Sequence, residues 1–326
     1  MVKLRKMSKT YYLRQIVACL LVYCILLAVP AQVALADSTP AAGAGPSTGA
    51  GGYTATLGGT ATTAANTTTI TAPNGSVFDW QNFDIGSGHT VQHPGMSTTD
   101  AVLHRINVTA GWGDGDATGI NGNLGSPGYL FVVNPMGIVI GADALISANR
   151  FVASGLNISN FSDFISGSTN ELQFEGYDNS TLGVELQAGG EISANAVALI
   201  GKTVVNDGTI NSDSVVLAAG ERVFLAVTDD SGKLAVDVTD LLTTVPADNK
   251  VTNTGTLNAT DGNVLLAAGD IYSLAISGVE DLAAVSNENI ELDTGNGDFG
   301  ADNIVLTGDF DGSGAGNIDI NTGITL

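Results

Sequence analysis

Residues 190–201 read GEISANAVALIG and residues 208–220 read GTINSDSVVLAAG. Laid over one another, they place Ile192 on Ile210, Val197 on Val215 and Leu199 on Leu217, each 18 residues apart. Residues 255–269, GTLNATDGNVLLAAG, restate the unit with two residues inserted before Val264. Within each unit, short alternating runs are bounded by Gly, Asn and Asp, the pattern of brief strands joined by turns. One such unit is too small to fold alone. Stacked copies bury their inward faces in a continuous core, which is the logic of a solenoid. With strands stacked about 4.8 Å apart, a rung of roughly 18 to 22 residues holds three short sides and three turns. The sequence therefore predicts an all-β fold, a right-handed parallel β-helix. A β-sandwich would need longer strands and tight two-residue hairpins, and it leaves the register between Gly190 and Gly208 unexplained.

Outward from these units, the chain divides by composition. The repeat region, 186–326, closes on a shorter beat: NIEL at Asn289, NIVL at Asn303 and NIDI at Asn317 recur every 14 residues. Tightened turns, or successive sides of irregular rungs, would each give that period. The last residues, NTGITL, are strand-like without an evident polar cap, so continuation in a longer exported protein is an open reading. Residues 70–185 carry the same short alternations and form a domain of their own ahead of the repeats, and the β-helix is expected to open on an irregular amino-terminal capping region. Residues 37–69 are Ala, Gly, Thr, Ser and Pro with hardly a large apolar side chain, which predicts a partly flexible segment with order beginning near Ile70. Residues 1–36 differ in kind. Lys3, Arg5, Lys6, Lys9 and Arg14 precede a 14-residue apolar run over 16–29, Pro30, and Ala34-Leu35-Ala36. That is the order of a secretory signal, cleaved after Ala36; the apolar run is short of the roughly 20 residues a membrane span needs.

Without that signal, 33 acidic and six basic residues remain, a formal charge of 6 − 33 = −27. Such a surface disfavours nucleic acid and anionic membranes as partners. Both cysteines, Cys19 and Cys24, lie in the signal, so the remaining 290 residues carry no disulfide and rely on burial and backbone hydrogen bonds.

Residues 130–141, LFVVNPMGIVIG, set Asn134-Pro135-Met136-Gly137 between two apolar runs in a hairpin-like unit. Asn at the first position can bond to backbone further on, Pro presets φ at the second, and Gly suits the fourth, which describes a type I turn. Taken alone it is only a turn. His89 and His93, with Asp84 near, have the residue types of a zinc site, but an i, i+4 spacing on a strand and loop does not make the rings converge. DFDGSGAGNIDI from Asp309 opens like a calcium loop, yet Ile320 stands where the bidentate Glu belongs, and a solvated turn is the simpler reading. Polysaccharide-cleaving β-helices use clustered carboxylates and basic residues; six Lys and Arg spread over 290 residues form no evident cluster. No H-E-x-x-H or G-x-x-x-x-G-K-[ST] motif occurs. No enzyme, cofactor or metal is expected. Trp80, Phe83, Leu103, Ile138 and Leu145 are expected in the core.

In order, FDWQNFDIGSGHTVQ (78–92), AVLHRINVTAG (101–111) and INGNLGSPGYLFVVNPMGIVIGADALISANRFVASGLNIS (120–159) resemble the amino-terminal secretion domain of the filamentous haemagglutinin family, the exoproteins of two-partner secretion. The resemblance makes residues 70–185 the two-partner secretion domain and implies an amino-terminal β-helix recognised by an outer-membrane β-barrel transporter with periplasmic POTRA domains. It further implies transit through both membranes, folding outside, and an adhesin-like product, secreted or at the cell surface, with host or neighbouring-cell receptors as further partners. It assigns secretion or nucleation to Asn134, Pro135, Gly137, Ile138 and Arg105. Two positions depart from the family pattern: Met136 replaces a second Asn in the turn, and His104 stands before Arg105 where Asn is usual. A secreted structural β-helix without a dedicated transporter, and a β-helix polysaccharide-degrading enzyme, are the competing readings.

Overall fold

The computed structural model describes residues 40–47, 52–106, 116–168, 171–176, 183–227, 234–239, 250–259, 263–268, 271–274, 281–286, 290–292, 303–307 and 318–320, within the compact unit Ala36–Leu326. The signal expected at 1–36 and the calcium-like residues 309–314 lie outside the described residues.

Two sheets stack the chain into a right-handed parallel β-helix, the hand that parallel crossovers take. A seven-stranded parallel sheet runs Thr118–Ile120, Ile138–Ile140, Val184–Leu186, Thr203–Asn206, Lys250–Asn253, Ile290–Leu292 and Ile318–Ile320. A fourteen-stranded sheet is built around the long strands Asn123–Val133, Leu145–Ser154, Glu191–Gly201 and Thr209–Ala219, paired in parallel. The repeat fixes the register as expected: Ile192 lies on Ile210, Val197 on Val215 and Leu199 on Leu217. Leu257 and Val264 then follow on Ile210 and Val215.

Each long strand turns a corner partway. Inward residues fall at 192 and 194, then at 197 and 199, so the two-residue period slips by one near Asn195. The pairing breaks at the same place, passing from Ala194↔Ser212 to Ala196↔Ser214. In the next unit the ladder passes from Asn211↔Asn258 to Ser214↔Asn263, so the two extra residues before Val264 fall within the same interruption of the pairing. A glycine column marks another corner. A Cβ on Gly190 would lie 2.6 Å from the Gly141 carbonyl oxygen, and one on Gly208 would lie 2.5 Å from that of Gly190, so the glycine opening each unit is demanded by close backbone stacking.

Beyond the corner the strands are buried on both faces. Val197, Leu199, Val215 and Leu217 fill the interior. Ala198, Ile200, Val216 and Ala218 form a second core with Leu172, Phe174, Val223 and Leu225 of a flanking antiparallel sheet. That sheet comprises Asn157–Ile158, Glu171–Glu175, Arg222–Val227, Leu234–Thr239 and Ile271–Leu274. It explains why VALIG and VVLAAG are continuously apolar rather than alternating.

At the amino-terminal end, order begins well before Ile70. Tyr53–Ala55 pairs antiparallel with Ser76–Trp80, and Thr60–Ala64 forms an antiparallel hairpin with Thr67–Thr71, which continues in parallel onto Thr90–Gln92. Low apolar content misled the expectation. Thr favours extended backbone, and Ala61 and Ile70 are enough to seat the hairpin on the core.

Trp80, Phe83, Leu103 and Ile138 are buried as expected, Leu103 in the second core, but Leu145 is 53 % exposed. Its neighbour Ile146 takes the inward phase, one residue along. The 14-residue beat is also resolved. Ile290–Leu292 and Ile318–Ile320 pair within the seven-stranded sheet, while Asn303–Thr307 lies in the fourteen-stranded one, so NIEL, NIVL and NIDI mark successive sides of rungs.

Candidate functional site

The unit at 130–141 is not a hairpin. Asn123–Val133 belongs to the larger sheet and Ile138–Ile140 to the smaller, so residues 134–137 turn a corner of the β-helix. The turn has the bonds its residues predict: the Gly137 N–H donates to the Asn134 carbonyl at 2.8 Å, and the Met136 N–H donates to Asn134 Oδ1 at 2.9 Å. Gly137 has φ +106°, which an L side chain rarely adopts.

The asparagine does more than close the turn. Its Nδ2 donates to the Asp116 carbonyl at 2.9 Å and to Thr118 Oγ1 at 3.1 Å, at the entry to the strand that lies beside Ile138–Ile140. Its backbone N–H donates to the Ser154 carbonyl at 3.0 Å, at the end of the following long strand. One buried residue, 1 % exposed, thus clips its own turn to the rungs on either side. Pro135 is buried, Met136 half-buried, and Ile138 fully buried, pairing with Thr118 and Val184. Because only the Met136 backbone N–H is used, the turn keeps this bond whatever side chain stands there.

Arg105 joins the same corner by register: it pairs with Val133, the residue before Asn134, and with Asp79 on the other side. Its guanidinium forks onto Asp79, with Nε 2.5 Å from Oδ1 and Nη2 3.5 Å from Oδ2. The arginine side chain is 26 % exposed. The structure therefore gathers the five expected residues around one corner, four at the turn and one at its rim.

A buried polar chain beneath this rim was not anticipated. Val102, His104 and Ile106 alternate inward from one strand, as do Ser76, Phe78 and Trp80 from its neighbour. Trp80 Nε1 donates to His104 Nδ1 at 3.0 Å, His104 Nε2 lies 2.8 Å from His93 Nε2, and His93 Nδ1 lies 2.8 Å from the Gly125 carbonyl oxygen. The period-two phase of AVLHRI carried the signal that His104 points inward. His89 and His93 are committed to different partners: His89 bonds Thr68 and Gly43, and Asp84 is held by Asn82 and the Gly119 N–H. No group of three metal-ligating side chains is placed to hold an ion among the described residues. Burial lowers the His93 pKa to about 4, the Gly125 bond opposing only in part. Burial, and then the neighbouring His93, hold His104 well below its ordinary value.

On the outer face, a shallow groove crosses the corner beside Asn195, lined by Ser193, Asn211, Ser212, Asp213 and Asn258. Asp213 brings one carboxylate there without an arginine or lysine in the lining, unlike the cluster a polysaccharide-cleaving site requires.

The family model described as TPS secretion domain matches residues 41–320, most of the chain. The chain belongs to the TPS secretion domain family. It is a two-partner-secretion exoprotein, in a family of secretion domains of exported proteins rather than of enzymes. The crystal structure of the HMW1 secretion domain from Haemophilus influenzae has the same fold, with a TM-score of 0.61 and 22 % identity, covering 84 % of this chain and 82 % of that one. The heme/hemopexin-binding protein of Haemophilus influenzae is 25 % identical over 164 residues, 49 % of this chain. The chain spans 18 % of that relative's length. Proteins with a TPS secretion domain are exported across the outer membrane.

Proposed function

We propose that this β-helix is the amino-terminal secretion module of an adhesin-like exoprotein, recognised by an outer-membrane β-barrel with periplasmic POTRA domains and folded only after transit. Its product stands at the surface or in the medium, where host or neighbouring cells offer receptors. The observation that carries this reading is the family match over residues 41–320. Three features support it. A chain whose cysteines both lie within 1–36 carries no crosslink to obstruct threading after signal removal. An apolar run followed by small residues fits export through the inner membrane. Parallel rungs present an unpaired strand edge on which the next can form.

Within the module, Asn134, Pro135, Gly137 and Ile138 act by closing the corner as the first rungs assemble. Asn134 is buried and its polar groups are used inside the protein, so it serves folding rather than display to a transporter. Arg105, at the rim, braces the same corner through Asp79.

The test is release from a Gram-negative host expressing the chain with and without its barrel, comparing wild type with Asn134→Ala. Barrel-dependent release, reduced by the substitution, is the expected result. Equal release without the barrel would overturn the reading and leave a structural β-helix with no dedicated transporter.

A further inference from the structure

The polarity of the buried Trp80–His104–His93 chain is fixed by its first member. An indole N–H can only donate, so His104 Nδ1 is the acceptor and the His104 proton sits on Nε2. That proton points at His93 Nε2, which must accept, so the His93 proton sits on Nδ1 and is given to the Gly125 carbonyl. Every nitrogen is matched, and both imidazoles are neutral. An added proton has nowhere to go: on His104 Nδ1 it would face the indole N–H, and on His93 Nε2 it would face the His104 N–H.

Among the described residues, no carboxylate is bonded to either imidazole. Phe83 stacks on His104 at 4.6 Å between centroids, Phe78 and Trp80 flank it, and Tyr53 lies against Trp80 at 4.9 Å. Asp79 and Arg105 alternate to the other face of their strands and pair with each other. Asp84 is engaged by Asn82 and Gly119, and Asp100 by the Ser97 N–H. Asn123–Val133 and residues 93–96 contribute no charged side chain. The chain's three histidines, His89, His93 and His104, all lie buried in these first rungs, and the repeat rungs have none.

We propose that the Trp80–His104–His93–Gly125 chain is an acid-sensitive latch: protonation breaks it and loosens the amino-terminal rungs while the repeat rungs stay closed. The latch joins Ser76–Trp80, Ala101–Ile106 and the Gly125 region of Asn123–Val133, so its loss frees the end of the solenoid first. The direction follows from proton binding. The unfolded chain takes a proton on each imidazole near the ordinary value of 6.5, whereas folded His93 waits until about 4, so the latch is fully closed above pH 6.5 and weakens as pH falls toward 4. At pH 5 His93 favours opening by about thirtyfold relative to pH 7.5, and His104, also held below its ordinary value, acts in the same direction. The latch is independent of whether a transporter recognises the domain.

The test is amide hydrogen exchange on the full chain at pH 7.5 and 5, corrected for intrinsic rates, following 76–80 and 101–106 against 191–201 and 209–219. Opening is expected to rise by at least about thirtyfold in the first pair and little in the second, and the rise is expected to shrink in His104→Asn. Equal loosening of both regions, or an unchanged rise in the variant, would overturn the latch. Should the variant not fold, imidazole NMR on wild type decides: His104 protonated on Nε2 and His93 on Nδ1, both still neutral at pH 5.5, supports it, and titration of both near 6.5 overturns it.

Discussion

The rungs before residue 141 and those after residue 190 solve the same stacking problem with different chemistry. In the later rungs like lies on like: Ile192 on Ile210, Val197 on Val215, and Asn206 Nδ2 donating to Asn253 Oδ1 at 2.6 Å. In the earlier rungs unlike groups meet once each: Trp80 on His104, Asn134 on Thr118, Arg105 on Asp79. A stack of copies can slip by a whole rung and bury nearly the same surface. A set of unique contacts cannot, so the first rungs define where the register starts and the later ones propagate it.

The contrast is tested most severely by removing an apolar copy. Leu199 is fully buried between Ala153 and Leu217 in register, and Leu199→Ala is expected to cost about 3 to 4 kcal/mol in urea unfolding. Because its contacts are to neighbouring copies, amide exchange should accelerate first in 191–219 and leave 76–106 protected. Simultaneous loss of protection along the whole solenoid would show that the two regions do not differ in this way.

The same contrast explains how much of the molecule was readable beforehand. Repetition is visible in one sequence, so the 18-residue register and the two-residue insertion before Val264 were predicted residue for residue. Unique contacts leave no such trace. His104 and Trp80 are 24 residues apart, and nothing in either segment states that the other is its partner. The Asn134 turn was legible because its bond to Met136 is local, whereas its bonds to residues 116 and 118 needed the rung beneath. The flanking antiparallel sheet was also missed, although the unbroken apolar run at 196–200 signalled burial on both faces. Leu145 failed for a smaller reason, a one-residue error in phase where an exposed leucine begins the strand.

A middle-sized effect separates turn from clip at Asn134. Asn134→Ala removes the acceptor for Met136 and both donors to the lower rung, and is expected to cost about 2 to 3 kcal/mol. Asn134→Asp retains the acceptor that closes the turn but sets a carboxylate against the Asp116 carbonyl. If the inter-rung clip is what matters, urea unfolding will find the aspartate at least as damaging as alanine. A near-neutral aspartate would mean that the residue serves its turn alone.

The smallest effect on stability is expected at Arg105, and it is the most informative about secretion. Its pair with Asp79 is partly solvated, 26 % and 20 % exposed, so Arg105→Ala should cost less than about 1 kcal/mol. Arg105 and Asn134 sit around one corner, yet the arginine reaches solvent and the asparagine does not. If both act through folding, their variants will lose barrel-dependent release in proportion to stability, and Arg105→Ala will be released nearly as well as wild type. Release that collapses in Arg105→Ala while urea unfolding is unchanged would instead mark a contact made with the transporter. Arg105→Lys then distinguishes the requirement: charge alone rescues release if the partner needs a cation, whereas a continued defect means that the planar fork is read.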